Sequence, residues 1–383
     1  MNRFSFIFPG LATSLLAVTM SFSLASCATA GEKASKHVAK ARKAATAKPS
    51  ARTDDADDAG EFANFAQWRE VNEFIDQMVA KHEFNRTELE AMLAKVRYID
   101  SAIQLVKPPP PGKPKNWRAY RARFVEPIRI NAGVAFWDQY ADALARAEAQ
   151  YGVPAEIIVG ILGVETIYGR NTGNFRVMDA LTTLAFAYPD TPNRVSRMTY
   201  FRSELENTLL FARESGIDPF SLLGSYAGAI GLPQFMPGSI RRFAVDFDGD
   251  RSIDLRNSPV DAIGSVANFL VQHGWQTGEP LVFPATVSPE DTRWQSFIGQ
   301  GLEAKYTLEE MKEAGVAPGV EPPADMRFGL VDLQNGLEPT EYWLGANNFF
   351  AIAQYNRSFF YAMSVIDLGR AVKTARSRNE SVR

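Results

Sequence analysis

The sequence predicts a mainly α, α+β fold in which a small β-containing lobe precedes a closing helix. Three observations carry this. Apolar residues at three-and-four spacing begin at Phe62 and dominate as far as Trp275. The texture then changes to short apolar runs broken by Pro and Gly, the pattern of strands around turns. From Phe360 to Ala375 helical spacing returns. With 383 residues and 46% hydrophobic content, the chain has enough apolar surface for one main domain and a satellite.

The N-terminus is read first. Arg3 is followed by an apolar run from Phe4 to Leu24 and then by Leu24-Ala-Ser-Cys27. This resembles a bacterial lipoprotein signal over residues 1–26, with Cys27 lipidated and first in the mature chain. An uncleaved signal anchor or an ordinary secretory signal fits the same run. Cys27 is the only cysteine, so no disulfide forms within the chain. Ala28, where Asp would favour retention at the inner membrane, directs the expectation to the periplasm, anchored in the inner leaflet of a Gram-negative outer membrane. Residues 27–60 are rich in Ala, Lys, Ser, Thr and Pro and hold too little apolar surface to fold, so they read as a disordered tether. The net charge of −3 argues against a nucleic-acid partner, which rewards a basic excess. Neutral carbohydrate fits better.

In the folded part, Phe62 to Val79 form an amphipathic helix. Arg86 to Val96 form another, with Thr87 as its expected cap. Pro108 to Pro111, Gly112 and Pro114 force an extended connector. Asn116 to Arg123 and Gly133 to Tyr151 read as helices, followed by Asp179 to Ala187, Met198 to Glu214, Pro219 to Leu223, Gly238 to Ala244 and Val260 to His273. Pro280 to Pro284, Met326 to Leu333, Thr340 to Leu344 and Asn348 to Ala353 read as strands. These elements divide the chain into a helical lobe (61–115), a main helical core (116–279), the β-containing lobe (280–353) and a C-terminal helix returning to the core (354–383).

The segment Tyr151 to Gly169 is the most informative. It reads as a helix with Pro154 in its first turn and Gly169 past its last. Ile157, Ile161, Glu165 and Tyr168 then share one interior stripe, which carries the Glu165 carboxylate into an apolar wall near the negative end of the helix dipole. Both effects favour the neutral acid, and a carboxyl group protonated near pH 7 is what protonates a glycosidic oxygen. A structural Glu whose tip reaches solvent fits the same spacing.

Three further segments invite a functional reading. Gly224 to Pro237 is a run of small residues in which Ser225 and Gln234 offer donors and acceptors to a sugar; a tightly packed corner is the alternative. Gln354-Tyr-Asn-Arg-Ser358 with Tyr361 is a polar and aromatic cluster suited to stacking on pyranose faces, or else a surface turn. Asp246-Phe-Asp-Gly-Asp-Arg-Ser-Ile-Asp254 alternates carboxylates as an EF-hand loop does, although Arg251 stands where Gly is usual and Asn257 where Glu is usual. Asp261 could close the cage. A metal-free Asp/Gly turn is the other possibility.

Taken together, Gly163 to Gly169, Gly224 to Pro237, Asp246 to Asp261, Ala262 to Asn268 and Tyr355-Asn356 resemble the membrane-bound lytic murein transglycosylase B family, in matching order, over about Phe62 to Ala375. The resemblance implies a lysozyme-like catalytic core with an α lobe, a small β lobe and a glycan cleft. It implies Glu165 as sole catalytic acid/base, and Tyr120, Ser225, Gln234, Tyr355, Asn356 and Tyr361 along the cleft. It further implies a structural Ca²⁺ or other hard cation held by Asp246, Asp248, Asp250, the backbone of Ser252 and Asp261. Two departures stand out. Phe269 replaces a tyrosine common in relatives, and Tyr188 to Tyr200 carries an insertion where relatives have an arginine pair, so neither Arg194 nor Arg197 is matched to it.

The expected reaction is cleavage of the MurNAc-β-1,4-GlcNAc bond of peptidoglycan with formation of 1,6-anhydro-MurNAc ends. No organic cofactor is expected. A hydrolytic muramidase, which needs a second carboxylate that the sequence does not offer at an equally well-placed position, remains the alternative among enzymes. A non-catalytic peptidoglycan-binding lipoprotein has no use for a costly buried acid.

Overall fold

A computed structural model describes residues 65–381, apart from 109–111 and 113. The expected signal, Cys27, the tether and Phe62 lie outside the described residues. No helix among the described residues is long and apolar enough to cross a membrane.

The described chain opens with a 3₁₀ turn, Phe65–Gln67, and three helices: α1 (Arg69–His82), α2 (Arg86–Leu93) and α3 (Asp100–Val106). Val71, Phe74, Ile75 and Met78 are the buried face of α1, as their spacing dictates. Asn85, not Thr87, caps α2. Its side chain accepts the Glu88 amide at 3.2 Å while its own backbone stays extended, which leaves Thr87 inside the first turn. Phe65, Leu89, Leu93 and Ile103 join these helices to the same core as the rest of the helical body.

Next come α4 (Trp117–Arg121), α5 (Pro127–Gln139) and α6 (Ala141–Tyr151). The single helix expected from Gly133 to Tyr151 is therefore two. Tyr140 leaves helical geometry at φ −115°, and α5 begins earlier because the Glu126 carboxylate caps the amides of Ile128 and Arg129. Helix α7 (Ala155–Thr166) follows, with Pro154 as its extended cap rather than in its first turn. Ile167 and Tyr168 both take left-handed backbone, φ 53° and 57°. Tyr168 is thus turned off the α7 stripe on which its spacing set it.

A two-residue ribbon of β1 (Phe175–Arg176) and β2 (Leu223–Gly224) encloses α8 (Val177–Phe186) and α9 (Arg194–Ser215). The helix expected at Pro219 to Leu223 is only a 3₁₀ turn, Pro219–Ser221, running into β2. Helices α10 (Pro237–Phe243) and α11 (Pro259–Gln272) complete this part.

The sheet contains β3 (Val282–Val287), β4 (Tyr306–Thr307), β5 (Val316–Pro318), β6 (Arg327–Asn335) and β7 (Glu338–Gly345) in the order β4-β6-β7-β3-β5. All its pairs are antiparallel. The short helix α12 (Leu308–Glu313), opened by a reciprocal Thr307 and Glu310 capping box, packs Leu308 and Met311 against Phe328, Leu330 and Leu344 in a second core. Two helices end the chain, α13 (Asn347–Asn356) and α14 (Phe359–Glu380).

Helix α13 corrects the expected strand at Asn348 to Ala353. All six of those residues are buried, so the run has no polar face, and an apolar run buried all round reads alike as helix or strand. Helix α14 crosses α7 at backbone contact distance. A Cβ on Gly160 would lie 2.3 Å from the Val365 carbonyl oxygen, and one on Gly369 would lie 2.1 Å from that of Glu156.

Candidate active site

Glu165 lies in the last turn of α7, a helix buried on nearly every side from Ala155 to Val164. Its side chain keeps partial access to solvent, yet enough protein surrounds the carboxylate to push its pKa from 4.5 up to about 7. Burial is the cause, opposed by one hydrogen bond that stabilises the charged form. That bond comes from the Tyr361 hydroxyl, which donates to Glu165 Oε1 at 2.6 Å. No neighbouring carboxylate contributes to the shift.

Tyr361 is fully buried in the first turn of α14, where the Ser358 hydroxyl caps its amide. The Tyr355 ring lies nearly parallel to it, 6.0 Å away at 15°, and the Tyr355 hydroxyl donates to the Pro233 carbonyl at 2.6 Å. Burial first and the Glu165 charge second raise the pKa values of Tyr355, Tyr361 and Tyr120, the last to about 12. All three phenols therefore stay neutral donors within electrostatic reach of Glu165. Tyr120 is held by Phe124 and Phe360, with ring centres 5.1 and 5.5 Å away.

Gln234 occupies left-handed backbone, φ 50°, and its amide nitrogen donates to Thr172 and Gly231 carbonyls at 3.1 and 2.9 Å. Those bonds fix the side chain, and its carbonyl oxygen accepts no hydrogen bond among the described residues. Strain of this kind in a non-glycine residue persists where the surroundings enforce it. Ser225, also buried, accepts the Ala229 amide at 3.0 Å and keeps its own proton for another acceptor. Asn356 ends α13 half-buried, and its side chain makes no hydrogen bond among the described residues.

Phe269 packs against Tyr355 at 4.7 Å and Phe235 at 5.5 Å, and His273 stacks on its far side at 3.9 Å. A ring without a hydroxyl thus completes the wall beside Tyr355. In the segment 188–200, Arg197 is buried among Phe201, Tyr200 and Tyr188, at 4.9, 5.4 and 5.8 Å, and its Nε has no partner among the described residues. Its charge acts on Tyr226, the neighbour of Ser225. Arg194 instead donates to the Tyr188 carbonyl at 2.9 Å.

Sequence reasoning missed Thr166. Its hydroxyl donates to the Leu232 carbonyl at 2.9 Å and accepts the Gly169 amide at 2.9 Å, which ties the end of α7 to the 224–237 loop. The signal was a polar residue beside Glu165 in an otherwise apolar helix. Asn335, in β6, was also missed. Fully buried, it accepts the Arg118 amide at 3.0 Å and so holds the helix that carries Tyr120.

In the acidic loop, Asp246, Asp248 and Asp261 each bring a carboxylate oxygen within 4.8 Å of the others, a donor set that fits a hard cation. The loop is preorganised by its own amides: Asp246 accepts Gly249 and Arg251, and buried Asp261 accepts Phe247, Asp248 and Asp254. Asp250 is not part of the trio and accepts the Ser252 amide at 2.8 Å. Arg251 fills the position usual for Gly at φ 75°.

The family model for the transglycosylase SLT domain matches residues 64–370. Membrane-bound lytic murein transglycosylase B of Escherichia coli (strain K12) is 43% identical over 312 residues, which cover 79% of this chain and 82% of that protein. The solved structure of the E. coli lytic transglycosylase Slt35 in complex with calcium is 43% identical, with a TM-score of 0.71 over 82% of this chain and 95% of that one. SltB3 from Pseudomonas aeruginosa, solved with NAG-anhNAM-pentapeptide, is 28% identical, with a TM-score of 0.67 over 81% of this chain and 80% of that one. A helical body flanked by a small sheet is thus matched in both sequence and structure, and the chain belongs to the lytic murein transglycosylase B family of SLT-domain proteins.

Proposed function

We propose that Glu165 is the sole acid/base with which this chain, a peptidoglycan lytic transglycosylase, cleaves the MurNAc-β-1,4-GlcNAc bond without water. The observation that carries this is a buried carboxyl group near pKa 7 on which no second carboxylate acts. As the neutral acid, Glu165 gives its proton to the glycosidic oxygen while the bond from that oxygen to MurNAc C1 breaks. As the carboxylate, it takes the proton of the MurNAc C6 hydroxyl while the C6 oxygen bonds to C1. Protons balance, and the product is a 1,6-anhydro-MurNAc end. The Tyr361 hydroxyl holds Glu165 Oε1 in place and stabilises the carboxylate between the two transfers.

Tyr120, Tyr355 and Asn356 line the glycan side of the cleft in this reading, with Ser225 and Gln234 offering their unspent proton and oxygen to sugar hydroxyl or amide groups. The 246–261 loop holds a structural Ca²⁺ through Asp246, Asp248 and Asp261, with Asp250 and the Ser252 carbonyl closing the cage. The calcium reported for Slt35 supports this. The ion supplies rigidity and no chemistry. The enzyme works in the periplasm, attached through a lipid on Cys27 to the inner leaflet of the outer membrane; the membrane-bound E. coli relative supports attachment.

The test is the product. Digested sacculi should release anhydro-muropeptides that weigh one water less than hydrolysis products and are unchanged by borohydride. Reducible MurNAc ends that incorporate ¹⁸O from labelled water would replace this reading with a hydrolytic one.

A further inference from the structure

Arg129 in α5 ties the end of the helix that carries Glu165 to the segment just after α4. Its Nε donates to the Gly163 carbonyl at 3.2 Å, two residues before the catalytic position, and its Nη1 donates to the Arg123 carbonyl at 2.6 Å, just after α4. Its guanidinium also lies 5.2 Å from the centre of the Phe124 ring, and Phe124 in turn packs on Tyr120. The side chain is only 17% exposed and is steadied by Glu126, whose carboxylate approaches its Nη1 at 3.5 Å. One planar fork therefore spans the end of the acid's helix and the segment that carries Tyr120.

The end of α7 needs such a tie. Gly163 already gives its carbonyl to the Ile167 amide at 3.3 Å, in a last turn that must bend at once into two left-handed residues. A helix end of this kind holds its carbonyls poorly, and a cation placed there also meets the negative end of the dipole. On its other side the turn is packed by Tyr168, whose hydroxyl fits the gap left by Gly133 and Gly163; a Cβ on either would lie 2.4 or 2.5 Å from that oxygen. Arg129 hydrogen-bonds to both this turn and the segment after α4. It does not enter the shift of Glu165, so its effect runs through geometry rather than charge.

We infer that Arg129 is a positioning residue that sets the Glu165 carboxylate and Tyr120 at the separation required for proton transfer to a bound glycan. The inference rests on the reading of Glu165 as the acid/base. Its test compares Arg129→Ala, Arg129→Lys and Glu165→Gln in the full chain, with kcat and KM for anhydro-product release from soluble glycan strands, well below each variant's melting temperature. Arg129→Ala should lower kcat about tenfold to a hundredfold, the scale of a misplaced catalytic group, with KM little changed. Millimolar guanidinium should restore part of that kcat while leaving wild type and Glu165→Gln unaffected. Arg129→Lys keeps the charge but cannot serve both carbonyls with a planar fork, so it should stay folded and still lose kcat severalfold. A wild-type kcat in Arg129→Lys, or a loss in Arg129→Ala that guanidinium does not relieve, would overturn the inference. If Glu165→Gln itself turns over normally, the acid/base reading fails first and takes this one with it.

Discussion

Glu165 pays for its role in stability, and the sign of that cost is testable. Its pKa rises from 4.5 in the unfolded chain to about 7 in the native one, so between those values the native state holds a proton that the unfolded state has released. Stability attributable to this group falls as pH rises through that window, by up to about 3 kcal/mol above pH 7. Glu165→Gln has no such charge to bury. Its melting temperature should exceed that of the wild type at pH 8, and the gap should close towards pH 4.5. The same variant should lose roughly 10²–10⁴-fold or more in turnover, because the amide cannot donate. Wild-type activity should decline as pH rises past 7, where the acid form empties. Glu165 was legible as a lone carboxylate on an apolar stripe, and Tyr120, Tyr355 and Tyr361 are brought to its surroundings by the fold. Thr166 was marked only by its polarity, and Asn335 and Arg129 not at all, because each bonds to backbone of a distant segment and no spacing along the chain encodes such a partner.

Among the elements, a helix with one polar face, such as α1, was readable from periodicity alone. Helix α13 was misread because burial on all sides erases the period, and α3 and α12 are too short to establish one. The α7 and α14 pair matters most, since one carries Glu165 and the other Tyr361. Gly160→Ala would set a methyl group 2.3 Å from the Val365 carbonyl oxygen, a backbone atom that cannot swing aside. The helices must separate, at a cost of about 1–3 kcal/mol or more. Activity should fall further than stability, as the hydrogen bond from Tyr361 lengthens; calorimetry together with turnover at one temperature checks this. The 246–261 loop behaves differently. Added Ca²⁺ should raise the melting temperature by mass action, and Asp248→Asn should abolish that rise with little change in the ion-free protein. Asp261→Ala should be destabilising with or without Ca²⁺, because Asp261 also accepts three backbone amides. Equal melting temperatures for the wild type with Ca²⁺ and with chelator would reduce the loop to a turn.

For the whole molecule, the sequence carried the helical body and the sheet through composition shifts, while the strand order β4-β6-β7-β3-β5 depends on pairings that only the fold reveals. The anchoring proposed at Cys27 should be separable from catalysis, since residues 65–381 contain every group assigned to the cleft. Cys27→Ser should release the protein from membranes and abolish fatty-acid labelling, with activity on purified sacculi retained. Membrane retention of the unlabelled variant would favour a signal anchor. The contact between α7 and α14 has a further consequence in time. Glu165 is made early, but its partner Tyr361 comes late, on the closing helix. A chain interrupted before that helix carries the acid without the architecture that governs it. An enzyme that cuts the wall of its own cell should therefore reach full activity only once its closing helix is in place.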